Sequence, residues 1–151
     1  MMNYAESSLP HVLIACGGTG GHFFPGAAVG DDLREKGIQT TLLISKKKVD
    51  QQAAQTQEGV NTLEIPAVAF QPQKPLRFIS GFCQSMLEVH KLYRAKPPGA
   101  VLSMGGFTSV APVLVGKLFG SKIFLHESNT IPGRANRLLA PLAEKVFVGF
   151  E

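Results

Sequence analysis

The residues best suited to chemistry sit in one short stretch, Gly17-Gly18-Thr19-Gly20-Gly21-His22-Phe23-Phe24-Pro25-Gly26. Glycines 17, 18, 20 and 21 leave the backbone N–H groups there almost bare of side chains. Amides in such a turn approach an anion closely, beside the positive end of a helix. Pro25 suits the first turn of that helix, where its missing N–H costs nothing. His22 is the one titratable side chain at the mouth, placed to accept a proton or to bind phosphate. A bare glycine turn is also a common structural device, and on its own it leaves both readings open.

Two later stretches carry similar chemistry. Met104-Gly105-Gly106-Phe107-Thr108-Ser109 offers more bare amides, and a hydroxyl from Thr108 or Ser109 as a cap for the next helix. His126-Glu127-Ser128-Asn129-Thr130-Ile131-Pro132-Gly133 places a carboxylate and an amide before a proline at a helix start.

The elements that must position these loops follow from hydropathy. Short Val/Ile/Leu/Phe-rich runs at residues 11–16, 40–44, 60–65, 100–103, 122–126 and 145–148 predict strands covered on both faces. Helical patterns over 26–36, 49–57, 76–94, 110–119 and 132–142 separate them. This alternation predicts an α/β fold, a parallel Rossmann-like sheet of six strands with helices on both faces. Ligands in such sheets bind beyond the carboxyl ends of the strands, so all three loops should open on one edge. Residues 66–75, with three prolines, read as a loop insertion.

With 151 residues, the chain is long enough for one domain with a real core. A hydrophobic fraction of 44% with 17% charged residues excludes a disordered chain. The formal charge of +4 is consistent with anionic ligands or an anionic membrane surface. Cys16 and Cys83 lie in apolar surroundings without metal-ligand spacing and predict two buried, reduced thiols. No apolar stretch is long enough for a membrane-spanning helix. Residues 1–8 lack the features of a secretion signal and are expected to be a loose leader before a domain over 9–151.

Two nucleotide readings fit poorly. The glycine turn places Phe23 where a dinucleotide fingerprint needs a small residue, and no acid for a ribose ends the second strand. Lys46-Lys47-Lys48, which would suit a 2′-phosphate, reads more simply as a solvated charge run. No Gly-Lys-Ser/Thr follows the turn, which excludes a P-loop.

Gly17-Gly18-Thr19-Gly20-Gly21-His22 with Pro25-Gly26 and Ala28-Val29 resembles the opening of the MurG family. These bacterial transferases add N-acetylglucosamine to the lipid-linked muramyl peptide of peptidoglycan synthesis. Met104-Gly105-Gly106-Phe107-x-Ser109 and His126-Glu127-Ser128-Asn129, with Gly133 and Asn136, resemble that family's second and third signatures. Phe107, Ser128 and Ala27 depart from it, standing where tyrosine, glutamine and leucine are usual. Residues 67–74 lack the glycine- and arginine-rich look of the family's acceptor-side loop.

The resemblance implies the acceptor half of a two-domain GT-B glycosyltransferase, with a second, UDP-sugar domain outside this sequence. It implies an inverting transfer from UDP-GlcNAc to undecaprenyl-pyrophosphoryl-MurNAc-pentapeptide at the cytoplasmic face of the inner membrane. No cofactor, metal or nucleic acid is expected. On this reading the chain is half an enzyme, a truncated piece or a subunit needing a partner, and inactive alone. His22 is implied as general base or phosphate binder, and Glu127 as a rival base or a partner of a sugar hydroxyl. His126 is expected to be structural. Amides of Thr19, Gly20 and Gly21, and of Gly105, Gly106 and Ser109, are implied for diphosphate, and Asn129 for the donor sugar. Arg134 and Asn136 are weaker candidates, with plain surface positions on a helix as the alternative reading.

A lipid-linked acceptor implies contact with a bilayer. Leu76, Arg77, Phe78, Ile79 and Phe82, with Lys91 and Arg94 beyond them, form an apolar and cationic segment suited to an anionic surface. An ordinary core helix, with Ile79, Phe82, Cys83 and Met86 facing inward, is the competing reading. A non-catalytic membrane-recruiting subunit and an NADP-binding module also remain as alternatives.

Overall fold

The computed structural model describes residues 11–18, 20–55, 59, 61–66 and 73–149. The expected leader, Thr19 and most of the proline-rich insertion lie outside them.

Six strands form one sheet in the order β3-β2-β1-β4-β5-β6. They are β1 (His11–Ala15), β2 (Gln39–Ser45), β3 (Asn61–Ile65), β4 (Ala100–Ser103), β5 (Lys122–Glu127) and β6 (Lys145–Val148). Every pairing is parallel. The chain winds outward from β1 to β3, then returns to place β4 on the other side of β1. The crevice at that reversal, above the carboxyl ends of β1 and β4, is where open α/β sheets bind ligands.

Alternation along each strand divides the core into two layers. Leu13 and Ala15 of β1, Leu43 of β2, Val101 of β4 and Ile123 and Leu125 of β5 point to one face. There they meet α3 (Pro75–Ala95), α4 (Val110–Leu118) and α5 (Arg134–Leu139). Ile14 and Cys16, Leu42 and Ile44, and Leu102 point to the other face, against α1 (Gly20–Glu35) and α2 (Lys48–Gln55). Strands sandwiched in this way need apolar residues at successive positions, which is why their runs do not alternate. The outer strand β6 departs from that expectation, because all four of its residues are exposed.

Helix α1 begins six residues earlier than its hydropathy predicts. Gly20, Gly21 and His22 are therefore helical, and Pro25 sits in the second turn. Its missing N–H leaves only the carbonyl of Gly21, four residues back, without the usual donor. Phe23 reaches down from this first turn into the core, where it is fully buried against the α1 face of the sheet. The last predicted helix is shorter than expected: it starts at Arg134 and tightens to a 3-10 turn at Ala140–Leu142, where Pro141 cannot donate.

Two further expectations are corrected. Cys16 is buried, but Cys83 is exposed on the outer face of α3. The buried stripe of α3 is Gly81, Ser85, Val89 and Tyr93, with Phe78, Phe82 and Met86 leaning inward beside it. Ile79 and Cys83, which the competing core-helix reading turns inward, point outward with Leu76 and Leu87. Leu76, Ile79, Cys83 and Leu87 recur at helical spacing and make one exposed stripe.

Candidate functional site

The three sequence motifs meet at one edge. Gly17 and Gly18 follow β1, residues 104–106 follow β4, and residues 128–133 follow β5. The turn after β1 has no room for side chains, since a Cβ on Gly17 would lie 2.5 Å from the Ser45 nitrogen. Gly105 and Gly106 adopt φ of +101° and +76°. His22, half-buried in the first turn of α1, lies over them: a Cβ on Gly105 would come within 3.2 Å of its Nε2. The first and second motifs, more than eighty residues apart, are thus brought side by side, with no room for a side chain between them.

The second loop is braced from within. Met104 N–H donates to the Ala15 carbonyl (2.9 Å), tying the loop to β1. Gly105 N–H donates to Ser103 Oγ (3.1 Å), so this amide is already engaged. Ser109 does not cap α4. It is buried within a 3-10 turn (Phe107–Ser109), and its hydroxyl donates to the carbonyls of Gly105 (3.2 Å) and Gly106 (2.7 Å). Its N–H also donates to Gly106 (3.3 Å). Ser109 therefore shapes the loop, with its amide and hydroxyl turned inward.

Glu127 organises the third loop. Its Oε1 accepts from the Asn129 backbone N–H and side-chain amide, both at 2.9 Å. Its Oε2 accepts from Gly133 N–H and from Asn136 Nδ2, again both at 2.9 Å. Burial raises the pKa of this carboxyl, but donors from Gly133, Asn129 and Asn136 outweigh it and hold the group down at about 2. A carboxylate so strongly held is a poor proton acceptor near neutral pH. Asn136 is not a surface residue: it is buried, Nδ2 also donates to the His126 carbonyl (3.0 Å), and its Oδ1 lacks a partner. Arg134 is exposed at the rim.

His22 behaves differently. Burial lowers its pKa, Glu127 and Asp50 pull upward against it, and His126 pushes it further down. A neutral imidazole, able to take up a proton, is the result at neutral pH. Hydrogen-bond donors in the adjacent first turn of α1, at Gly20 and Gly21, belong to the set of helical amides without intrahelical acceptors. Together the loops wall an open cleft of about 200 Å³ bounded by His22, Gly105, Gly106, Glu127, Asn129 and Asn136. The aromatic residues of the first motif do not fill it, since Phe23 is in the core and Phe24 is exposed. Among the described residues no group of three or more His, Cys, Asp or Glu converges as a metal site.

Residues 12–148 match the glycosyltransferase family 28 N-terminal domain. The chain belongs to this family. A Shewanella frigidimarina relative is 35% identical over 99% of the chain, and one from Acidithiobacillus ferrooxidans 34% over 92%. Both are named UDP-N-acetylglucosamine–N-acetylmuramyl-(pentapeptide) pyrophosphoryl-undecaprenol N-acetylglucosamine transferase. The chain spans 41% and 39% of their lengths. Among solved structures, Acinetobacter baumannii MurG superposes with a TM-score of 0.82 at 23% identity, covering 94% of this chain and 42% of that one. A putative UDP-N-acetylglucosamine 2-epimerase from Listeria monocytogenes gives 0.71 at 16% identity, covering 93% and 39%. Those likenesses establish the fold of this family 28 domain, a six-stranded parallel sheet of GT-B type.

The sequence motifs missed one site residue. Asp50 of α2 is fully buried, and its Oδ2 accepts from Gly18 N–H at 2.7 Å. A carboxylate at the third position of a helix reads as ordinary first-turn charge, and no local pattern points it at the glycine turn.

Proposed function

We propose that this family 28 domain supplies the acceptor-side half of an inverting N-acetylglucosaminyltransferase of peptidoglycan synthesis. The acceptor is undecaprenyl-pyrophosphoryl-MurNAc-pentapeptide, and the donor UDP-GlcNAc is gripped mainly by the part of such enzymes that this chain does not span. The observation that carries this reading is the His22 imidazole lying on the Gly105–Gly106 backbone, beside the first-turn amides of α1. Those amides and that of Gly106 bind the acceptor diphosphate, a geometry suited to anions. Thr19 is proposed for the same role and lies outside the described residues.

In the reaction the muramyl 4-hydroxyl attacks the anomeric carbon. A new C–O bond forms with inversion, the bond to UDP breaks, and the hydroxyl proton passes to His22. Glu127, saturated by four donors, holds Asn129 and Asn136 in place for sugar hydroxyls, and the unpartnered Asn136 Oδ1 is an acceptor available to one. In an assembled transferase, His22→Ala should lower kcat by about 10²–10⁴-fold with little change in acceptor binding. Near-normal kcat would remove His22 from the chemistry.

The domain also visits an anionic membrane surface. Leu76, Ile79 and Leu87 are exposed on one face of α3, with Arg77, Lys91 and Arg94 exposed around them. Phe78 links that helix to the cleft, stacking on Phe82 (6.3 Å) and meeting Phe107 edge-on (5.7 Å). No helix among the described residues is long and apolar enough to cross a membrane. Calorimetric titration of the chain with a lipid diphosphate analogue, UDP-GlcNAc and NADPH tests the function. Binding is expected for the first; preferential binding of NADPH would overturn the reading.

A further inference from the structure

We propose that Asp50 is the positioning residue of the glycine turn, a buried carboxylate that fixes Gly18 and supplies counter-charge to His22, four residues further along the chain from that glycine. Its Oδ2 gathers three donors: Gly18 N–H (2.7 Å), Ser45 N–H (3.2 Å) and the Ser45 hydroxyl. One atom thereby joins the turn after β1, the end of β2 and the start of α2.

This is not the usual work of an acid in a helix's first turn. Such a residue commonly turns back to cap its own helix's first amides. Here the amide of Lys47, just before α2, is left to Ser45 Oγ (3.4 Å), while Asp50 reaches across to another strand's loop. With Gly18 N–H committed to Asp50, the amides left without intrahelical acceptors are those further on, at Gly20 and Gly21. The φ of +119° at Gly18 is part of the same geometry.

The charge is harder to explain by bracing alone. A carboxylate near an anion-binding turn opposes the anion, and asparagine would offer Gly18 and Ser45 an acceptor of the same shape without that opposition. Asp50 is wholly buried, and its Oδ1 has no hydrogen-bond partner. A charge kept there favours a positive neighbour. The groups acting on His22 are Glu127 and His126 of β5 and Asp50 of α2. Of these, Asp50 is the carboxylate not shared among the donors of the third loop. It stabilises the imidazolium formed when His22 takes up a proton. The role as counter-charge rests on the functional reading above; the hold on Gly18 does not.

The test uses the 151-residue chain and needs no ligand. Imidazole titration followed by NMR is compared between the wild type and Asp50→Asn, which keeps the acceptor and removes the charge. Amide exchange at Gly18 is compared between the wild type and Asp50→Ala. We expect the His22 midpoint to fall in Asp50→Asn, and Gly18 exchange to quicken about tenfold or more in Asp50→Ala. An unmoved His22 midpoint in folded Asp50→Asn reduces Asp50 to a brace and overturns the proposal, as does unchanged Gly18 exchange. If Asp50→Ala does not fold, Asp50→Asn alone decides. A separate titration with inorganic pyrophosphate reports on the diphosphate reading: absent binding there, with both NMR effects present, would fault that reading and leave Asp50's hold on Gly18 standing.

Discussion

At the scale of single residues, Glu127 ties Asn129, Gly133 and Asn136 together through its two carboxylate oxygens. Glu127 is kept ionised well below the usual range, with a folded pKa of about 2 against an ordinary 4.5. A depressed carboxyl stabilises the fold at pH above its unfolded value, and that contribution fades as pH drops toward the folded value. Glu127→Gln should therefore destabilise the domain at pH 7 by urea denaturation, because an amide NH₂ would then face N–H donors. The gap between variant and wild type should narrow between pH 4.5 and 2; a gap independent of pH would contradict this account. Gly105→Ala should fold with strain from its φ of +101° and push His22 aside by contact with Nε2. An unchanged His22 ring environment by NMR would show that the contact is not limiting.

At the scale of elements, the start of α1 carries the site because Phe23 anchors it. The side chain is fully buried below the glycine turn, and Phe23→Ala should cost about 3–5 kcal/mol in chemical denaturation. A loss under 1 kcal/mol would mean that the turn holds itself. The exposed stripe of α3 should bind anionic vesicles and not neutral ones, and Leu76→Asp with Ile79→Asp should abolish the difference. Equal sedimentation with both lipids would set the membrane role aside. Strands β1, β2, β4 and β5 were legible because residues covered on both faces leave continuous apolar runs. The inward face of α3 was not: its buried positions are Gly81 and Ser85 as well as Val89 and Tyr93, and small residues carry little hydropathy signal. The start of α1 was hidden for a related reason, since glycine and proline normally mark a helix boundary and here lie inside the helix.

At the scale of the whole molecule, the strand order sets the outcome. Placing β4 beside β1 brings glycine motifs more than eighty residues apart onto one rim, and β5 adds the third loop. The parallel-sheet rule made that convergence readable from the strand-end positions of the motifs. The contacts that lock it, Asp50 to Gly18 and Asn136 to Glu127, were not readable, because they join side chains whose partners are set only by the tertiary path. Relatives of the same family, more than twice as long, carry transferase names. The most direct test is amide and imidazole chemical-shift mapping of the chain titrated with a short-chain prenyl diphosphate. The largest changes should fall on Gly20, Gly21, His22 and Gly106; changes confined to another face of the sheet, or none at saturating ligand, would contradict the account.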